Sequence, residues 1–157
     1  MNGTIPKGPM KLLVVEDSRT QAEYLRHILE NEGYRVVLAA NGLEALEQIR
    51  IDHPALVLSD IIMPGMDGYE LCRTIRSDAA LASIPVILVT QLFDPVDVIK
   101  GLEAGADNFI IKPFEARHVN SRIQAVIQML ARPDPDTRSG TGIEVSFASS
   151  NHTITAG

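Results

Sequence analysis

The sequence predicts an α/β fold: a doubly wound parallel sheet of five strands, with helices on both faces, in a three-layer sandwich. Three observations predict it. Short apolar runs recur at residues 12–15, 34–39, 55–58, 84–90 and 108–111. Between and after them lie amphipathic stretches with apolar residues at helical spacing, and strands that alternate with helices pair in parallel. Acidic and basic residues cluster where the runs end, and the carboxyl ends of the strands are where open α/β sheets keep their functional groups.

Each element has a local cause. Leu12-Leu13-Val14-Val15 is a buried strand of mostly branched residues, ended by Glu16 and Asp17. Ser18 is a helix N-cap, Ala22, Leu25, Ile28 and Leu29 line one helical face, and Gly33 stops that helix. After the second strand, Asn41-Gly42 turns into a helix carrying Leu43, Leu46 and Ile49. Pro54 precedes the third strand, which ends at Ser59-Asp60. A loop over 61–68 holds Pro64, Gly65 and Asp67-Gly68, and a third helix follows over 69–76. Pro85 opens the fourth strand, where its missing N–H is tolerated. Asp94-Pro95 is an N-cap followed by proline at the first helical position, and Gly105 ends that fourth helix. After the fifth strand, 115–130 is a helix with Val119, Ile123, Val126, Ile127 and Leu130 on one face.

Composition narrows the function classes. The chain has 157 residues, 45% apolar and 22% charged, enough to bury a core without staples. A net charge of −6 offers no electrostatic footprint for DNA or RNA, so direct nucleic-acid binding by this chain is not expected. The single cysteine, Cys72, excludes an internal disulfide and a cysteine-based zinc site. Residues 1–11 lack the apolar core of a signal peptide, and no apolar run reaches the ~20 residues that cross a bilayer. The expected compartment is the cytoplasm, with no membrane partner. Residues 132–142 read as a linker rich in Pro, Asp, Ser, Thr and Gly. Residues 143–157 alternate apolar and polar, and read as the start of a following domain.

The chemistry lies at the strand ends. Glu16 and Asp17 end the first strand and Asp60 the third, and these strands are neighbours in a doubly wound sheet. Carboxylates crowded at one edge repel unless a cation sits among them. Oxygen-only ligands favour a hard cation, and Mg²⁺ suits a few carboxylates, a carbonyl and waters. Lys112 ends the fifth strand and can reach across the edge to an anion, and Thr90 offers a hydroxyl from the fourth. Each alone reads as an ordinary surface or strand residue. Together they make a site for a phosphoryl group on Asp60.

Four stretches carry a family resemblance: Leu13-Val14-Val15-Glu16-Asp17-Ser18, Leu58-Ser59-Asp60-Ile61-Ile62-Met63-Pro64-Gly65-Met66-Asp67-Gly68, Pro85-Val86-Ile87-Leu88-Val89-Thr90, and Gly105-Ala106-Asp107-Asn108-Phe109-Ile110-Ile111-Lys112-Pro113-Phe114. Over residues 10–131 the chain resembles the receiver domain of two-component response regulators, the CheY-like superfamily. The resemblance implies a (βα)5 flavodoxin-like fold. It implies that Asp60 accepts a phosphoryl group from the phosphohistidine of a sensor histidine kinase or a phosphotransfer domain. Asp17, Asp60 and the backbone carbonyl of Ile62 would bind Mg²⁺, with Glu16 acting through a metal-bound water. Lys112 would pair with the phosphoryl oxygens, and the peptide before Pro113 is expected to be cis. Thr90 would move toward the phosphoryl group, and Phe109 would swing inward behind it. The face of the fourth helix, fifth strand and fifth helix would then change, controlling a partner or an output domain.

Departures from the family pattern carry expectations of their own. Gln91 stands where a small residue is usual and would partly cover the phosphoryl group. Ile62 would screen attacking water, and Phe109, having no hydroxyl, can be held only by packing. Lys100, Asp107 and Arg122 resemble charges that pair across dimers, but His118 replaces a glutamate usual there, so a homodimer is left open. Met63 and Met66 read as packing residues and Cys72 as an inert core thiol. A competing reading is a Mg²⁺-dependent phosphatase with an aspartate nucleophile. Such enzymes usually carry a second aspartate two residues on, where this chain has Ile62, so sustained turnover is not expected. A degenerate receiver that works without phosphorylation would not need the full set of Asp60, Thr90 and Lys112.

Overall fold

The computed structural model of the chain describes residues 9–91 and 94–131. The linker at 132–142 and the alternating tail at 143–157 lie outside the described residues. The chain divides into two compact units, Met1–Val126 and Ile127–Gly157. Ten elements follow in order: β1 (Lys11–Val15), α1 (Arg19–Asn31), β2 (Arg35–Ala39), α2 (Gly42–Ile51), β3 (Leu56–Asp60), α3 (Gly68–Ser77), β4 (Val86–Thr90), α4 (Pro95–Ala104), β5 (Asn108–Ile111) and α5 (Ala116–Ala131). The five strands form one parallel sheet in the order β2-β1-β3-β4-β5. This is the doubly wound arrangement that the strand–helix alternation predicted and the flavodoxin-like fold that the resemblance implied.

Alternation along the strands separates two buried layers. Leu13, Val15, Val57, Val86 and Leu88 pack with Ala45, Leu46 and Ile49 of α2, Leu71, Cys72 and Ile75 of α3, and Ala104 of α4. Leu12, Val14, Leu58, Ile87 and Val89, one residue out of phase, are also buried, as are Leu25 and Leu29 of α1 and Val119 and Ile123 of α5. Strands buried on both faces read as continuous apolar runs.

Boundaries shift by a residue or two, each for a visible reason. β2 starts at Arg35, because the Tyr34 N–H donates back to the Leu29 carbonyl (3.2 Å) and closes the α1 end. β4 starts at Val86, while the Pro85 carbonyl accepts from Val57 N (2.9 Å). Ser18 and Asn41 cap α1 and α2 through their side chains, and Asp67 and Glu70 form a reciprocal capping box on α3. Asp94 caps α4 differently from expectation. Its side chain makes no cap bond, and its carbonyl accepts from Asp97 N and Val98 N (2.9 and 3.2 Å).

One arginine fastens the loops at the amino end of β4. Arg76, in the last turn of α3, donates to the carbonyls of Gly105 (3.0 Å), Ala82 (3.2 Å) and Ile84 (2.6 Å) and to Asp107 Oδ2 (2.6 Å). Asp107 Oδ2 also accepts from Val86 N (2.9 Å). Asp107 is thus bonded inside the domain as well. Lys100 is also engaged internally, with its ammonium 5.1 Å from the centre of the Tyr69 ring. Removing Arg76 takes a donor from three partly buried carbonyls and from the Asp107 carboxylate, which keeps its bond from Val86 N. Arg76→Ala is expected to cost about 2–3 kcal/mol, read as a lower urea midpoint with unchanged slope.

Candidate functional site

The sheet brings the sequence-predicted acids together. In the β1–β3 register Val15 faces Ser59, so Glu16 and Asp17 emerge beside Asp60. The Glu16 N–H donates to the Ala39 carbonyl (3.0 Å), which carries the β1–β2 ladder one residue further and fixes where this side chain leaves the sheet. Glu16 is buried, Asp17 is exposed, and Asp60 is 9% exposed. One carboxylate oxygen from each lies within 4.8 Å of the other two.

Each side chain is held. Asp60 Oδ1 accepts from its neighbour Ile61 N (2.9 Å), and the Ser59 hydroxyl donates to the Asp60 carbonyl (2.8 Å). Glu16 Oε2 accepts from Ser18 N (3.0 Å). Lys112 N donates to the Thr90 carbonyl (2.8 Å), continuing the β4–β5 ladder past Ile111. From there the lysine side chain reaches across the end of β4 toward β3. Its Nζ lies 3.4 Å from Asp60 Oδ2 and 3.4 Å from Glu16 Oε1. The Lys112–Pro113 peptide is cis. Thr90, buried at the end of β4, lines the same cleft.

That cleft has a volume of about 230 Å³ and is lined by Glu16, Asp17, Ser18, Gln21, Asp60, Ile62, Thr90, Gln91 and Lys112. A hollow of about 430 Å³ lies between β5 and α5, with His118, Ser121 and Arg122 on its wall. Its lining holds no Asp or Glu, so the acid cluster belongs to the smaller cleft. Gln21 and the Ser18 backbone are functional neighbours that the sequence reading missed. The available signal was Gln21's place one helical turn after the cap residue, at the same sheet edge. Ile62 is 62% exposed at the cleft mouth, and Gln91 is exposed on the rim. Phe109 is not in the cleft. Its ring lies against Gly101 of α4 and the core beneath α3 and α4.

Electrostatics single out Glu16. Burial pushes its carboxyl above the usual value, and the Asp60 charge adds to that. The Ser18 amide and Lys112 pull the other way without cancelling it. Burial also pushes the Cys72 thiol up to about 11, so it stays protonated and inert. Three carboxylates with one ammonium keep an excess of negative charge. An oxygen donor set with that excess fits a hard divalent cation.

The family model of the response regulator receiver domain matches residues 12–124. The chain belongs to this family. The receiver is 39% identical over 128 residues to the transcriptional regulatory protein AfsQ1 of Streptomyces coelicolor, covering 82% of this chain and 56% of that protein. It is 39% identical over 115 residues to the DNA-binding response regulator MtrA of Mycobacterium tuberculosis, covering 73% of this chain and 49% of that one. The chain thus spans about half the length of the curated relatives it matches. Among solved structures, the signal receiver domain of a signal transduction histidine kinase from Syntrophus aciditrophicus is 45% identical. It superposes with a TM-score of 0.73, covering 80% of this chain and 95% of that one.

The receiver's acidic cleft has a pH signature of known sign. Unfolding returns Glu16 to its ordinary carboxyl value of 4.5. Over the window above that value the folded chain binds the extra proton, so the Glu16 contribution to stability is fullest below it and is lost as pH rises through the folded value. In Mg²⁺-free buffer the melting temperature is expected to decline from pH 4.5 toward neutrality. Glu16→Gln should flatten that decline, and a thermal melt at each pH checks it.

Proposed function

We propose that this receiver is the phosphoacceptor switch of a two-component phosphorelay, with Asp60 as the acceptor. The observation that carries the reading is the setting of Asp60. Its Oδ2 lies 3.4 Å from Lys112 Nζ, and oxygens of Glu16 and Asp17 lie within 4.8 Å. A carboxylate oxygen of Asp60 attacks the phosphorus of a phosphohistidine on a sensor histidine kinase or phosphotransfer domain. The P–N bond breaks, its electron pair returns to the imidazole, and an acyl phosphate remains on Asp60. Lys112 offsets the charge on the transferred oxygens, and the Thr90 hydroxyl donates to one of them. The residues that would hold Mg²⁺ are Asp17, Asp60 and the Ile62 carbonyl, with Glu16 acting through water. When bound, the ion neutralises charge on the phosphoryl oxygens.

The same cleft supports a switch rather than a turnover enzyme. Ile62 stands where a phosphatase of this type keeps its acid, and its apolar side chain at the cleft mouth shields the acyl phosphate from water. Gln91 covers the cleft from the opposite rim. Output passes through the face made by α4, β5 and α5. There Val96, Ile99, Leu102 and Ile111 are exposed, an apolar surface for a partner or output domain. Among the described residues no helix is long and apolar enough to cross a membrane. We place the receiver in the cytoplasm with its kinase. The net charge of −6 argues that any DNA contact belongs to a domain outside this chain. The likeness to a histidine kinase's receiver favours a place within a larger signalling protein.

Incubation with acetyl phosphate and Mg²⁺ tests the reading by intact mass. One phosphoryl adduct per chain is expected, and none on Asp60→Asn. Release of many phosphates per chain, or an adduct that survives Asp60→Asn, would sink it. Rim variants test the shielding. Ile62→Asn and Gln91→Ala are each expected to speed loss of the adduct roughly threefold, about 0.6 kcal/mol of barrier. Equal lifetimes for variant and parent would remove the shielding role.

A further inference from the structure

The helix α4 is attached in an unusual way. Only its smallest residues, Gly101 and Ala104, are buried. Of its large apolar side chains Val98 is half-buried and the others face out, with Val96 at 64% and Ile99 at 53% exposure. Its own burial therefore contributes little to holding it, and other elements supply the grip. At Gly101 the Phe109 ring fills the space that a side chain would take, since an added Cβ would stand 2.5 Å from the ring's Cζ. One turn earlier the grip comes from Tyr69. This tyrosine is 5% exposed, and its hydroxyl donates to the Asp97 carbonyl (3.2 Å). The Lys100 ammonium sits 5.1 Å from the centre of its ring. Asp97, Lys100, Gly101 and Ala104 follow helical spacing, so one face of α4 is held by two aromatic rings.

Tyr69 is also fastened at its other end to the acceptor. It directly follows Gly68, whose N–H donates to the Ile61 carbonyl (2.8 Å). A Cβ on Gly68 would collide with the Asp60 carbonyl oxygen and stand 2.8 Å from Ile61 Cα. The start of α3 thus lies directly on the backbone of Asp60, with no side chain between them. A buried, hydrogen-bonded ring then spans from that point to the first turn of α4. This connection uses neither Thr90 nor Phe109.

We propose that Tyr69 is a positioning residue of the switch, carrying displacement at Asp60 through Gly68 to α4 by its hydroxyl bond to the Asp97 carbonyl and its ring contact with Lys100. The proposal rests on Asp60 being the phosphoacceptor. Coupling by this route needs no contact between Tyr69 and the phosphoryl group. Tyr69→Phe removes the hydroxyl and keeps the ring, and Lys100→Met removes the charge over it.

Amide hydrogen exchange on the full chain, with Mg²⁺ and with or without beryllofluoride, reads the coupling. In the parent, beryllofluoride is expected to change protection in α4. In Tyr69→Phe that change should shrink at least about threefold, with a smaller loss in Lys100→Met. Exchange in β1 and β3, and the phosphorylation rate with acetyl phosphate, should stay at parent values. General destabilisation would move both of these controls. An undiminished α4 response in both variants overturns the proposal, as does a parent whose Asp60 is phosphorylated while α4 stays unchanged. Should Tyr69→Phe fail to fold, Lys100→Met alone decides. A parent that takes up neither phosphoryl group nor beryllofluoride removes the acceptor reading itself, and the role of Tyr69 with it.

Discussion

Crowding of like charge at the carboxyl edge governs this molecule. Glu16, Asp17 and Asp60 place oxygens within 4.8 Å of one another because β1 and β3 are neighbours and end in step. At an effective dielectric of 20, one such pair of charges 4.8 Å apart repels by about 3.5 kcal/mol. A single ammonium, on Lys112, sits 3.4 Å from both Glu16 and Asp60. One positive charge cannot balance three negative ones. Burial, the larger cause, and the Asp60 charge push the Glu16 carboxyl above its usual value. The cleft's charge therefore favours taking up a cation.

Much of the fold was legible because its strands are buried on both faces. All five residues of β4, Val86–Thr90, are buried, so the run stands out with no alternation to decode. The cap at Ser18 was legible because its hydroxyl answers the Gln21 N–H three residues on, whereas Asn41 and Asp67, read as turn and loop residues, cap α2 and α3 in the same way. Asp94 shows the limit of such local reading. Proline at the next position has already removed one orphan N–H, and the Asp94 carbonyl takes those of Asp97 and Val98, so the side chain has less to do.

The site was legible where its chemistry coincides with strand ends, as at Asp60, Thr90 and Lys112. It was not legible where a side chain's partner depends on the path of distant loops. Asp107 reads as a surface charge, yet Arg76 reaches it from 31 residues away at 2.6 Å. Tyr69 reads as one apolar position on an amphipathic helix. Its hydroxyl bond lies 28 residues on, across a gap set by how α3 and α4 lean together. Gln21 lines the cleft only because α1 starts at the same edge. Local pattern carries no information about any of these distances.

The contrast between α3 and α4 says where the molecule can move. α3 buries Leu71, Cys72 and Ile75 and has a complete capping box, so shifting it would expose core and break caps. α4 buries only a glycine and an alanine, and rings borrowed from Tyr69 and Phe109 hold it. Elements with few buried contacts of their own sit at the low-stability end of a domain. Displacement therefore costs least on the β5 side of the sheet, away from the rigid pairing of β1 and β3 that fixes the acids. The outward apolar residues of α4, costly to leave in water, lie on that same side. The well-packed acid edge and the weakly packed α4 are divided by β4, and Thr90 at its end lines the acid cleft while its backbone carbonyl accepts from Lys112 N.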